Sequence, residues 1–424
     1  MSPLLGHILA QVVSLGVADR TEGRYIAAQA DKRYEAATYL RTGLSLTWKH
    51  GALNVGYAPS LVVTPLDSPA REALIFHSMG IAGSYHWQRT IVTASESVGI
   101  GEINFQSQGL GDPRALAPAA DVPNAPSTTP GAGTPTAPGT PPATGNPGTG
   151  TTTGSPVANQ TANRIRAINQ TVTFATSVTA LDVTQTISPV FWVSGGIGYF
   201  VGGSFGSRST DAYPIVRGPR AQASASYQFS PRDGTSSQLT AQYASIETGN
   251  NSWIYTANES WSHLFDKKTS SRLGVGVSAS RTSQPDGLIA WSIYPTFISS
   301  INYATAVDRS QLTLSLSASS APALDPVRAT VDPRLNLGAS AGWTLKRFYT
   351  GLAANSALSL TQQQGNGTSN GGLSSVAGSF TMSYQLADPV SLDSGLRAFW
   401  QKYYGDNVVP LTWAAFVGFT VTPL

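Results

Sequence analysis

The chain has 424 residues, 41% hydrophobic but only 12% charged, with no cysteine and a formal net charge of +3. A soluble globular domain carries about 25% charged residues. The missing cysteines exclude a disulfide framework, cysteine–zinc and iron–sulfur sites and thiol catalysis, and so small a net charge gives no footing for nucleic-acid binding.

Along the chain, no apolar run reaches the 18 residues of a transmembrane helix. Residues 1–20, MSPLLGHILAQVVSLGVADR, hold an apolar stretch without a basic n-region or an A-x-A cleavage site. They read as a periplasmic N-terminal segment, and a short interfacial helix or a first strand fits the same residues. From Thr38 the dominant signal is period two. Leu40, Thr42, Leu44, Leu46 and Trp48 fall on one side, and Arg41, Gly43, Ser45, Thr47 and Lys49 on the other. The same alternation recurs at 53–63, 220–229, 272–280, 311–319, 334–345 and 412–421. Side chains of a strand alternate between faces, so these are strands with one apolar and one polar face. The polar face consists of Gly, Ser, Thr, Asn and Gln with occasional Arg, and it is poor in Glu and Lys. Apolar-out, polar-in segments separated by turns are the pattern of a transmembrane β-barrel.

Two kinds of connection alternate strictly. Compact turns fall near 50–51, 88–90, 188–190, 230–237, 266–271, 306–311, 345–348 and 387–391. Between them lie 64–73, 106–165, 207–214, 248–252, 283–287, 321–333, 363–372 and 404–410, longer on average and rich in Gly, Asn, Asp and Pro. Short periplasmic turns and longer extracellular loops have this rhythm. Seventeen strands follow from Thr38 onward, and one more around Arg24–Ala30 returns the N-terminus to the periplasm. The expectation is one closed, all-β, antiparallel up-and-down barrel over 1–424, with about 18 strands in a range of 16–18. Trp48, Tyr85, Trp87, Tyr227, Phe229, Trp261, Phe265, Tyr303, Trp343 and Tyr384 lie by the short turns. Trp253, Trp291, Trp400, Tyr403 and Trp413 lie by the long loops, completing two interfacial girdles. Residues 107–165 break the pattern with dense Pro, Gly and Thr, read as a long, extended extracellular loop.

Chemistry finds little support. His7, His50, His77, His86 and His263 form no H-E-x-x-H or H-x-H pair, and His77 and His86 take opposite faces of one strand. GGSFG (202–206) lacks the helix that a nucleophile elbow requires. No catalytic residue, metal site or cofactor is expected. The lumen is more informative, because Arg outnumbers Lys by 20 to 6. Inward positions by parity include Arg41, Arg220, Arg272, Arg334, Arg397, Gln222, Gln228, Gln311, Asn336 and Asn355, with Asp393 the chief inward acid. Glu96 and Glu102 have no settled parity. The pore-lining and selectivity set is Arg41, Arg217, Arg220, Arg281, Arg334 and Arg397, placed mostly near the outer mouth.

The chain resembles the Gram-negative outer-membrane β-barrels of the porin-like group, a group that includes large barrels linked to exopolysaccharide export. The last strand, LTWAAFVGFTV, is similar to their C-terminal insertion signal in Gly418, Val417, Phe419 and Val421, but the chain ends Thr-Pro-Leu where a terminal aromatic is usual. The resemblance implies outer-membrane lipid, lipopolysaccharide and the barrel assembly machinery as partners, with periplasmic or surface proteins besides. The leading expectation is a non-enzymatic pore for small polar or anionic solutes, freely diffusing or partner-gated. Polysaccharide export and a display barrel carrying the Pro/Thr/Gly arm are the alternatives.

Overall fold

The computed structural model describes residues 12–28, 31–64, 72–104, 171–205, 214–307, 309–325, 330–347, 350–363, 373–387, 390–402 and 408–421. They form eighteen strands. The first six are β1 (Val12–Ala28), β2 (Asp31–Trp48), β3 (Gly51–Thr64), β4 (Glu72–Trp87), β5 (Thr90–Asn104) and β6 (Thr171–Ser188). Then come β7 (Phe191–Ser204), β8 (Val216–Gln228), β9 (Asp233–Ile246), β10 (Asn251–Leu264), β11 (Thr269–Ser283) and β12 (Ile289–Val307). The last are β13 (Ser310–Asp325), β14 (Thr330–Arg347), β15 (Thr350–Gln363), β16 (Leu373–Ala387), β17 (Val390–Lys402) and β18 (Val408–Val421).

Every strand pairs antiparallel with its sequence neighbours, and β1 closes on β18 from Asp19↔Val421 to Ala28↔Thr412. Closure follows from the solvent. A sheet edge in lipid would leave a row of unpaired N–H and C=O groups, each costing several kcal/mol. The strand count and the alternation of connections match the sequence expectation. Two boundaries differ. β1 begins at Val12, so residues 12–20 belong to the wall rather than to a periplasmic segment. The connection expected over 321–333 is shorter, because Pro322 and Pro333 pair with each other near the strand ends. Pro295 is accommodated where β12 has no β13 partner, the β12–β13 ladder starting at Phe297. The 107–165 loop and Tyr403 lie outside the described residues.

The period-two pattern sorts the faces. Leu44, Val55, Ile81, Leu239, Val275, Leu316 and Val417 are exposed on the outer wall. The outward aromatics Trp87, Tyr227, Trp261 and Tyr384 lie at the short-turn end, and Trp253, Trp291 and Trp413 at the other. Amphipathic rings suit the lipid–water boundary. Glu96 and Glu102 share the parity of exposed Ile100 and face outward. Glu96 accepts hydrogen bonds from Ser177, at 2.8 Å, and from Thr179, which lowers its cost against lipid.

Candidate functional site in the lumen

The inner wall is paved with small polar side chains, and glycines decide where they meet. Thr296 donates to Asn258 Oδ1 at 2.5 Å across the intervening strand, over Gly276, where a Cβ would come within 2.7 Å of the Thr296 hydroxyl. Gln222 likewise reaches Asp182 at 2.8 Å over Gly196. A side chain in between would separate these partners.

Where the barrel closes, the wall is ionic. On β1 the alternation Arg20, Glu22, Arg24 points all three charges inward. Glu22 lies 2.5 Å from Arg24 Nε, 3.0 Å from Arg20 Nη2 and 3.5 Å from Arg397 Nη1. Glu35 of β2 lies 3.7 Å from Arg24 Nη1. Across the intervening β18, Glu22 pairs with Gly418 and Arg397 of β17 with Ala414, so the bridge between them runs diagonally. The guanidinium of Arg397 stacks on Phe416 at 4.0 Å. Glu22, Arg24 and Glu35 have fully buried side chains. Charges so buried persist only when paired, since desolvation costs several kcal/mol per ion.

At the long-loop end, buried apolar clusters stand among buried polar and charged side chains such as Arg24, Glu35, Ser252, Thr282, Asp332 and Arg334. Phe200, Val216, Ala244, Ile246, Tyr294, Leu324 and Val331 form one buried cluster, with Ile254 against it. Tyr294 donates to the Val331 carbonyl at 2.6 Å. Ala37, Tyr39, Val62 and Leu74 form a second cluster, and Ile26, Phe399 and Ala414 a third.

The short-turn third differs again. Along β7–β12 it holds a cavity of about 490 Å³ lined by Trp192, Ser226, Gln228, Ser236, Ser260 and Arg272 among others. Ser226 donates to Ser236 at 3.1 Å, and Arg272 Nη2 to Ser260 Oγ at 2.9 Å.

Of the arginines expected to line the pore, Arg41, Arg220, Arg334 and Arg397 do face inward. Arg41 and Arg220 are half-buried, while Arg334 and Arg397 are buried and so do not line water. Arg217 and Arg281 do not face the lumen. Arg217 shares the parity of exposed Tyr227, and Arg281 that of exposed Leu273, stacking on the outward Trp291 at 5.8 Å. Both sit at the long-loop rim, where a cation on the outer wall can reach the aqueous interface. Glu22, Glu35, Arg20 and Arg24 were missed because the first two strands were expected to begin only near Arg24 and at Thr38; the every-second-residue charges of Arg20–Arg24 were the available signal. Among the described residues no three His, Asp or Glu gather as a metal-ligand group.

The profile of the EpsX exopolysaccharide export family matches residues 139–423, more than half of the chain. The chain belongs to the EpsX exopolysaccharide export family. It is an outer-membrane β-barrel of Gram-negative type, in a family associated with export rather than catalysis. Among solved structures, OccK2 (OpdF) of Pseudomonas aeruginosa is 10% identical over 97% of this chain and 98% of that one, with a TM-score of 0.43. The FrpB iron transporter of Neisseria meningitidis is 7% identical over 96% and 81%, with a TM-score of 0.46. CdiB from Acinetobacter baumannii, 8% identical with a TM-score of 0.40, matches 96% of this chain, which covers 60% of CdiB. Comparison with curated proteins finds no match.

Proposed function

We propose that this EpsX-family barrel is the outer-membrane passage for an exopolysaccharide, closed at rest and opened by a partner. The observation that carries the reading is the contrast between a hydroxyl-bearing cavity at the short-turn end and buried apolar clusters at the long-loop end. Hydroxyl and amide groups exchange hydrogen bonds with a sliding sugar chain at little net cost, because each bond broken has an equivalent replacement. An apolar constriction holds back water and small ions until it is widened. The polymer reading is preferred to a diffusion pore for small anions because the arginine ring on which that expectation rested is dispersed. Arg217 and Arg281 lie outside, and Arg397 is buried and ion-paired with Glu22.

Deleting the gene in a polysaccharide-producing host tests it. Surface polymer should be lost while polymer accumulates in the periplasm, and the wild-type gene should restore release. Undiminished surface polymer in the deletion would contradict the reading.

A further inference from the structure

Resting on that reading, we infer that the cavity at the short-turn end of β7–β12 is a subsite for an acidic sugar, binding the carboxylate of a uronate-bearing chain. Arg272 supplies the charge. It projects inward from β11 among serines, its guanidinium donates to Ser260, and among the described residues no carboxylate forms an ion pair with it. Elsewhere on the inner wall buried arginines carry acid partners, as Arg24 and Arg397 do. A planar guanidinium fork with spare donors matches a carboxylate.

The second observation is independent of charge. Gln228 is only 9% exposed, lines the same cavity, and its Oε1 accepts no hydrogen bond. A buried carbonyl left without a donor costs about 1–3 kcal/mol, and a rotation of the Gln228 side chain towards the cavity would bring it to a sugar hydroxyl. Ser226 and Ser236 offer further hydroxyls, and the inward Trp192 offers an aromatic face for the C–H side of a sugar ring. The carboxylate at the rim, Asp233, is taken by His263 at 2.7 Å and by the indole N–H of Trp261 at 3.2 Å. Arg232 stands at the same rim and adds a second cation. The volume of about 490 Å³ lies within the range of about 300–1,000 Å³ usual for small-molecule sites. Donor cation, unpaired acceptor, hydroxyl wall and aromatic face together describe a charged saccharide unit better than a neutral one.

The test is calorimetric titration of the detergent-solubilised full barrel, at low salt, with a galacturonate trimer and with maltotriose. The acidic trimer should bind more tightly than the neutral one. Arg272→Gln should weaken the acidic trimer about tenfold or more and leave maltotriose unchanged. Arg272→Lys should fall between, and Arg217→Gln on the outer wall should change nothing. Each variant is first shown to keep heat-modifiable gel mobility. Equal affinity for the two trimers, no binding of the acidic one, or indifference to Arg272→Gln would overturn the inference. Those outcomes leave the export reading standing if polymer release still depends on the gene, so the two fail separately.

Discussion

Two stretches of one inner wall handle charge in opposite ways. Across β17, β18, β1 and β2, Arg24 and Arg397 are buried and held by Glu22 and Glu35. Along β7–β12, Arg272 leans on a serine hydroxyl in an open cavity. The first arrangement joins the two ends of the chain and closes the sheet; the second leaves a cation available. The same side chain is therefore structural or functional according to whether its neighbours bring a carboxylate, and that is a property of strand pairing rather than of local sequence.

Breaking the closing network should have the largest effect. Glu22→Ala would leave Arg24 and Arg397 without their shared counter-ion, at a cost of about 3–5 kcal/mol. The urea midpoint of the compact, unheated gel band should drop accordingly, with Glu22→Gln falling less. A change under about 0.5 kcal/mol would mean the network is solvated and the contrast with β7–β12 is false. A middle effect is expected on the opposite wall. Gly276→Val places a side chain against Asn258 and Thr296 and should cost about 1–3 kcal/mol by overpacking. Gly23→Val, at a position with nothing within 4 Å, is the matched control.

The smallest effect lies in the turn below the cavity. Asp266 accepts the backbone N–H groups of Lys268 and Thr269, each at 2.7 Å, and these bonds hold its carboxyl below the ordinary value of 3.8. A depressed carboxyl stabilises the fold above its unfolded pKa, and that contribution is lost as pH falls through the folded value. The difference in urea midpoint between wild type and Asp266→Ala should be full at pH 7, begin to shrink near pH 3.8 and disappear only as pH falls through the lower folded value. A difference that persists in acid would assign the effect to turn packing instead.

Much of this architecture was legible in the sequence, because alternation and loop rhythm are local. The strand number, the girdles and the short turns all follow from them. The inward parity of Arg41, Arg220, Arg334 and Arg397 was readable for the same reason. Arg217 and Arg281 were misplaced when nearness to the mouth was put before parity, although Tyr227 and Leu273 on the same strands already gave their faces. β1 was obscured because its inner face carries charge where other strands carry Ser and Gly. The cavity was invisible for a different reason: Trp192, Gln228, Ser260 and Arg272 come from four strands and meet only through pairing register.

The proposal that the barrel is closed at rest, with the apolar cluster at the long-loop end taking part in the closure, is tested most directly by conductance in a planar bilayer. The wild-type barrel alone should give little current, and a variant carrying Phe200→Ser, Ile246→Ser and Tyr294→Ser should give stable open channels. A wild-type barrel that conducts as freely as the triple variant would contradict the account.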